Sequence, residues 1–384
     1  MDIVAIIAEY NPLHNGHLYH IQKTKEQFPL SRIIVVMSGD FVMRGEPAIL
    51  SKYERASHAI KAGADAVIEL PSFTSFLSGE GFARAGVNVA RMIGASTLSF
   101  GSECGDIEKL MALNTILTSP SEEYKLIFDK KMKEGKSYPR ATYEAMSEVY
   151  PLSPYELLSS PNNNLALMYL RALKDTGITP FTVKRTDNGY DANQPKEGLL
   201  SASGIRARLK EGRLDDVSDF VPDYVLDSLK GSYKSCDESF STLVLYKFVN
   251  MKNEDVKNLY DVSEGLENRL KKYAPVCRNL QQFLESVKCK RYTLSRLKRI
   301  CAYALFDVTK DKVEEVFKTK YASLIACRRD YTDLISHLKK SGVATCYSDL
   351  NDTTRPLWET EKAITDTRCL LCGDGKNARN TLFI

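Results

Sequence analysis

The chain is most easily bounded by what it lacks. No apolar run approaches the roughly 18 residues that span a bilayer, so a helical membrane protein is excluded and a soluble one expected. No internal repeat or low-complexity tract is visible, and 43% hydrophobic residues support a real core. Charge of one sign is not in excess: the net value is only +4, so any nucleic-acid partner must show itself through local clustering. No signal-peptide pattern opens the chain, and its nine cysteines are odd in number and loosely spaced, which points to reduced thiols in the cytoplasm. Cys369-Leu-Leu-Cys372 is a lone pair without the second pair that a zinc site needs. There is no Ser-His-Asp or Cys-His arrangement, and histidine is scarce. His58 and His337 stand alone, so neither covalent catalysis nor a dedicated metal site is expected.

The other three histidines fall within seven residues, in the stretch Ile3-Val-Ala-Ile-Ile-Ala-Glu-Tyr-Asn-Pro-Leu-His-Asn-Gly-His-Leu-Tyr-His20. Ile3 to Ala8 is an unbroken apolar run, the pattern of a strand covered on both faces. Asn11-Pro12 forces a turn, and Leu18, Ile21 and Lys25 continue at helical spacing. A strand running through a tight turn into a helix N-terminus leaves unpaired N–H groups and a positive dipole end, both of which favour phosphate. Gly16 leaves room for a nucleotide to approach, while His14 and His17 share one side of the first turn and can donate to phosphate oxygens. A second anion site is suggested by Ser201-Ala-Ser-Gly-Ile-Arg206, serines ahead of a helix with an arginine in its first turn.

His14-Asn15-Gly16-His17 resembles the HIGH signature of the nucleotidyltransferase superfamily, whose members attack the α-phosphate of a nucleoside triphosphate. Ser203 and Arg206 resemble its second signature. The longer string Glu9 to His17, with Phe100-Gly-Ser-Glu103, Pro161-Asn-Asn163 and Lys184-Arg185, resembles the bacterial tRNA(Met) cytidine acetate ligases. That resemblance implies catalytic roles for His14, His17, Ser203 and Arg206. It implies an ATP site made by Ile7, Ala8, Glu9, Tyr10, Asn11, Pro12, Leu13, His14, Asn15, Gly16, His17, Leu18, Tyr19, His20, Gly101, Asn162 and Arg185. It further implies ATP with Mg2+, acetate, and elongator tRNA(Met) acetylated at its wobble cytidine. Where the family usually has Asn-Asn-Ile-Leu-Gly, this chain has Asn162-Asn163-Asn164-Leu165-Ala166; Asn162 could equally cap a helix.

The remaining order supports an α/β fold: a Rossmann-like HIGH-type domain with a parallel sheet, then a mostly α-helical RNA-binding domain. Strands are predicted at 3–8, 32–37, 63–71, 95–101 and 179–184, with helices at 14–27, 52–62 (Ser51 as N-cap), 80–93 and 165–175. A charged helical insertion occupies about 106–150, and the catalytic domain is assigned to 1–215 and the helical one to 216–384, whose end (341–384) has no assigned role. Lys288 to Arg299 carries six basic residues and no acid. Lys290, Arg291, Tyr292, Arg296 and Arg299 are its expected tRNA contacts: cations for phosphate and an aromatic for an unstacked base. A merely solvated basic helix face is the competing reading. For the whole chain, a small-molecule adenylyltransferase and a non-enzymatic RNA-binding protein remain the alternatives at this point.

Overall fold

The computed structural model describes residues 1–185, 200–289, 291–373 and 381–384. Ten strands are present among them: β1 (Ile3–Ala8), β2 (Arg32–Met37), β3 (Phe41–Val42), β4 (Glu46–Pro47), β5 (Ala66–Glu69), β6 (Thr97–Ser102), β7 (Thr179–Lys184), β8 (Ala322–Cys327), β9 (Val343–Ala344) and β10 (Leu382–Phe383). Eight form one sheet in the order β10-β8-β5-β2-β1-β6-β7, with β9 also on β8. β5, β2, β1, β6 and β7 run parallel, as alternating strands and helices require.

β1 is central, and its apolar run serves two cores. Ile3, Ala5 and Ile7 face one side with Phe82, Val89 and Leu167, whereas Val4 and Ile6 face the other with Ile21, Ala59 and Ile205. This is the period-two alternation of a strand covered on both faces. The chain reverses direction of growth at β1, adding β2 and β5 on one side and β6 and β7 on the other. Crevices at such switch points, beyond the carboxyl ends of the strands, are where open parallel sheets take ligands.

The cap at Ser51 falls where the sequence places it, accepting the Glu54 N–H in a capping box. Of the two serines expected ahead of the helix that carries Arg206, Ser201 is the cap, accepting the Gly204 N–H at 3.2 Å, and Ser203 lies inside the helix Ala202–Lys210. The insertion folds as helices Ile107–Thr118, Glu122–Lys133 and Tyr138–Val149, contributing Leu110, Leu113 and Met146 to the first core. One helix differs from expectation, spanning Pro161–Ala172 rather than starting near 165. Pro161 at its first position fixes φ for helix and needs no N–H partner.

After about residue 215 helices dominate, and their core (Phe240, Val244, Phe248, Leu297, Ile300) also takes Phe41 from the β3–β4 hairpin and Phe76. The tail then returns to the sheet, which periodicity did not disclose: β8 lies antiparallel beside β5, pairing Ser323 with Glu69. The last helix, Arg355–Cys372, is tied down by Glu361, which accepts the Ser72 N–H (2.9 Å) and the Tyr321 hydroxyl (2.8 Å). β9 and β10 have only two residues each, too few to show alternation.

Arg55, fully buried, ties the carboxyl ends of β1 and β2 together. Its guanidinium donates to the carbonyls of Glu9 (2.7 Å), Ser38 (3.0 Å), Leu50 (3.1 Å) and Gly39. Arg55→Met would strand these carbonyls without donors. It should lower unfolding free energy by at least about 3 kcal/mol, read as a fall in the urea midpoint.

Candidate active site

The turn after β1 is held by its own side chains. Tyr10 is buried in the left-handed region at φ 49°, and Asn11 Oδ1 accepts the Ile49 N–H at 2.9 Å. His14 then caps the helix Asn15–Gln27. Its Nδ1 accepts the Gly16 N–H at 3.0 Å, while its own N–H is donated to His17 Nδ1 at 3.3 Å. The two imidazoles stack with centroids 3.8 Å apart, and Tyr10 meets His17 edge-on at 5.0 Å. With both Nδ1 atoms accepting, the hydrogen-bond pattern assigns the proton of each neutral ring to Nε2. Gly16 is required for a reason additional to nucleotide approach: a Cβ there would lie 2.9 Å from His14 Cε1.

Beyond the ends of β1, β6 and β7 lies a cavity of about 240 Å³. Of the residues singled out in the sequence, Ile7, Ala8, Glu9, Tyr10, Asn11, Gly16, His17, Tyr19, His20, Gly101, Asn162 and Arg185 line it. Pro12, Leu13, His14, Asn15 and Leu18 do not; Pro12, Leu13 and His14 are buried in the turn behind it, and Asn15 donates to the Asp219 carbonyl. Ser203 is set back, 3.0 Å from the Ser201 hydroxyl, with Ala202 on the wall instead. Arg206 reaches the turn and donates to the Asn11 carbonyl at 2.6 Å. Gly101 keeps the cavity rim open for Arg185, whose Cγ would be 3.3 Å from an added Cβ.

Glu103 plays a part that the sequence reading missed. It accepts the N–H groups of Asn162 (3.1 Å) and Asn163 (2.7 Å) and the Asn162 carboxamide at 2.8 Å. A carboxylate already occupies that helix N-terminus, and it turns Asn162 so that its Oδ1 remains as acceptor. Asn162 therefore sits inside the first turn and is not the cap, which is Ser160. The sequence marked Glu103 only as the end of the Phe100-Gly-Ser-Glu103 string, and an acid at a strand end is too common to be given a partner from sequence.

Burial holds the His17 imidazole well below its usual titration range, reinforced by His14, Arg185 and His20. Burial likewise, with Arg185 second, pushes His20 down to about 4, and its Nε2 lies 2.9 Å from Ser99 Oγ. Both rings are neutral at pH 7. Among the described residues no three His, Cys, Asp or Glu side chains converge as a metal site needs, and no disulfide forms.

The basic stretch is arranged differently from expectation. Tyr292 is only 3% exposed and donates to the Glu264 carbonyl at 3.0 Å, so it cannot stack on a base without leaving the core. Its neighbours Leu297, Ile300 and Cys301 draw it inward. Arg296 is held by Asp261 (3.1 Å) and Ser263 (2.9 Å), and Arg299 lies 3.8 Å from Asp261. Arg291 is exposed, and Lys290 lies outside the described residues.

The HIGH Nucleotidyl Transferase family model matches residues 1–379. A tRNA(Met) cytidine acetate ligase of Thermoanaerobacter sp. is 36% identical over 349 residues, covering 88% of this chain and 86% of that protein. One from Geobacillus sp. is 34% identical over 376 residues, covering 94% and 92%. The crystal structure of Thermotoga maritima TmcAL bound with alpha-thio ATP is similar at TM-score 0.85 and 27% identity, over 97% of this chain and 95% of that one. Its apo form reaches a TM-score of 0.89 at 26% identity over the whole of both chains. No described helix is long and apolar enough to cross a membrane.

The histidines give a pH signature. Below pH 6.5 an unfolded chain protonates His20 while the folded one resists until about 4, so stability falls as pH drops through that window. His20→Asn should remove this loss. The wild type should lose up to about 1.4 kcal/mol per pH unit relative to the variant, measured by denaturant unfolding at pH 7, 6 and 5.

Proposed function

Because the chain belongs to the HIGH nucleotidyl transferase family, and within it to the tRNA(Met) cytidine acetate ligases, we propose that it activates acetate with ATP and acetylates N4 of the wobble cytidine of elongator tRNA(Met). An acetate oxygen attacks the α-phosphorus, the bond to the β-phosphate oxygen breaks, and pyrophosphate leaves. The cytidine N4 then attacks the acetyl carbon, the carbon–oxygen bond breaks toward AMP, and N4 loses a proton.

The observation that carries this reading is the histidine-capped turn after β1, placed in the cavity wall beside Arg185 and next to Arg206. Displacement at phosphorus needs charge spread over the transferred group more than it needs a protein nucleophile. His17 offers its Nε2–H, Arg185 and Arg206 offer fixed positive charge, and magnesium arrives with the triphosphate. The substrate carboxylate is already the nucleophile, which suits a site without one. The mixed anhydride is labile, so cavity walls that exclude water protect it until the amine arrives. The reduced thiols suit a cytoplasmic enzyme acting where its tRNA is.

Labelled pyrophosphate should exchange into ATP only when acetate is present. His17→Ala should slow that exchange by about 100-fold or more while tRNA affinity stays within twofold in a filter-binding assay. Acetate-independent exchange, or none in the wild type, overturns the proposal.

A further inference from the structure

A second, larger cleft adjoins the nucleotide cavity, and the two share Asn11. At about 1140 Å³ it exceeds the roughly 300–1,000 Å³ of small-molecule pockets. Its floor is Asn11 and Arg206, joined by their 2.6 Å hydrogen bond, and its far wall is the helical body, from helices Asp237–Asn250 and Leu280–Val287. We propose that this cleft receives the single-stranded anticodon loop, with Arg278 on a backbone phosphate and Tyr246 under an unstacked base. The inference rests on the functional reading above and says where the RNA enters.

Three observations carry it. First, a cytidine amine must touch an acyl group held on the α-phosphate, so the base must enter through space bordering that cavity, and this cleft does. Second, two ion pairs cancel part of its charge, Lys298 holding Glu46 at 2.5 Å and Lys210 holding Asp237 at 2.7 Å, and the rest of the lining, Arg206, Lys234 and Arg278 against Glu238, leaves positive charge in excess. Arg278 is exposed, and among the described residues only its backbone N–H is engaged, with Gln282 at 2.9 Å, leaving the guanidinium for phosphate. Third, Tyr246 is 64% exposed on the cleft wall, an aromatic face of the kind that stacks on bases, whereas Tyr292 is buried.

Arg278→Glu and Tyr246→Ala test this, since both side chains lie on the surface outside the nucleotide cavity. Each should raise the KM for tRNA by about tenfold, in line with one phosphate or stacking contact, and leave acetate-dependent pyrophosphate exchange at the wild-type rate. Arg278→Lys should restore most of the affinity. Arg278→Glu should also flatten the slope of log Kd against log salt by about 0.7, the value for one phosphate on a single strand. Wild-type KM in both variants overturns the inference, as does a loss confined to Arg291→Glu on the other basic face. A wild type without acetate-dependent exchange would instead defeat the functional reading.

Discussion

Everything at the nucleotide end of the sheet depends on a guanidinium that never meets solvent. Moving a cation into the interior costs several kcal/mol unless its donors are satisfied. Arg55 meets that condition with backbone carbonyls, at Glu9 on one side and at Ser38 and Gly39 on the other. Burial lowers it to about 10, still charged near neutrality. The consequence is geometric: the exits of β1 and β2 are fixed to each other, so the left-handed Tyr10 and the buried Asn11 cannot relax. His14 consequently emerges where a helix can begin on it.

From that fixed turn follows the electrostatic state of the site. His17, stacked on His14, and His20 one turn later are desolvated beside Arg185, and the result is neutral rings rather than a pair of cations. The His17 imidazole, its Nδ1 used in capping, presents Nε2–H, a directional donor, while the arginines carry the formal charge. Such a division suits a ligand whose charge grows during reaction, because the donors are oriented before it arrives and need no reorganisation.

How much of this could be read from the chain varies with the range of the interaction responsible. The strands Ile3–Ala8, Arg32–Met37 and Thr179–Lys184 and the cap at Ser51 were legible to the residue, since each is decided by local pattern. The cavity-lining part of the His14 loop was legible because its residues are contiguous. Arg55 was not, for an arginine on an amphipathic helix reads as a surface residue, and only the tertiary fold turns it inward. The role of Glu103 was illegible for the same reason, its partners being about sixty residues away. Tyr292 shows the opposite error: composition grouped it with the lysines and arginines beside it, whereas packing placed it among Leu297, Ile300 and Cys301. β8 was missed because nothing local says that a short apolar run in a helical region will find the edge of β5.

The return of the tail bears on function as well as topology. A helical body joined only by a linker would sit at no fixed distance from the acyl group, and RNA held on it would reach the amine's target by chance. Here Phe41 and Phe76 from the catalytic end enter the helical core, and Arg368 from the last helix donates back to the Ala48 and Ile49 carbonyls. Ile49 is itself the residue whose N–H holds Asn11. The wall of the larger cleft and the floor of the smaller cavity are therefore parts of one packed structure. On the proposed chemistry this rigidity has a clear use: orientation of two bound reactants accelerates their reaction only if the surfaces holding them keep a fixed separation.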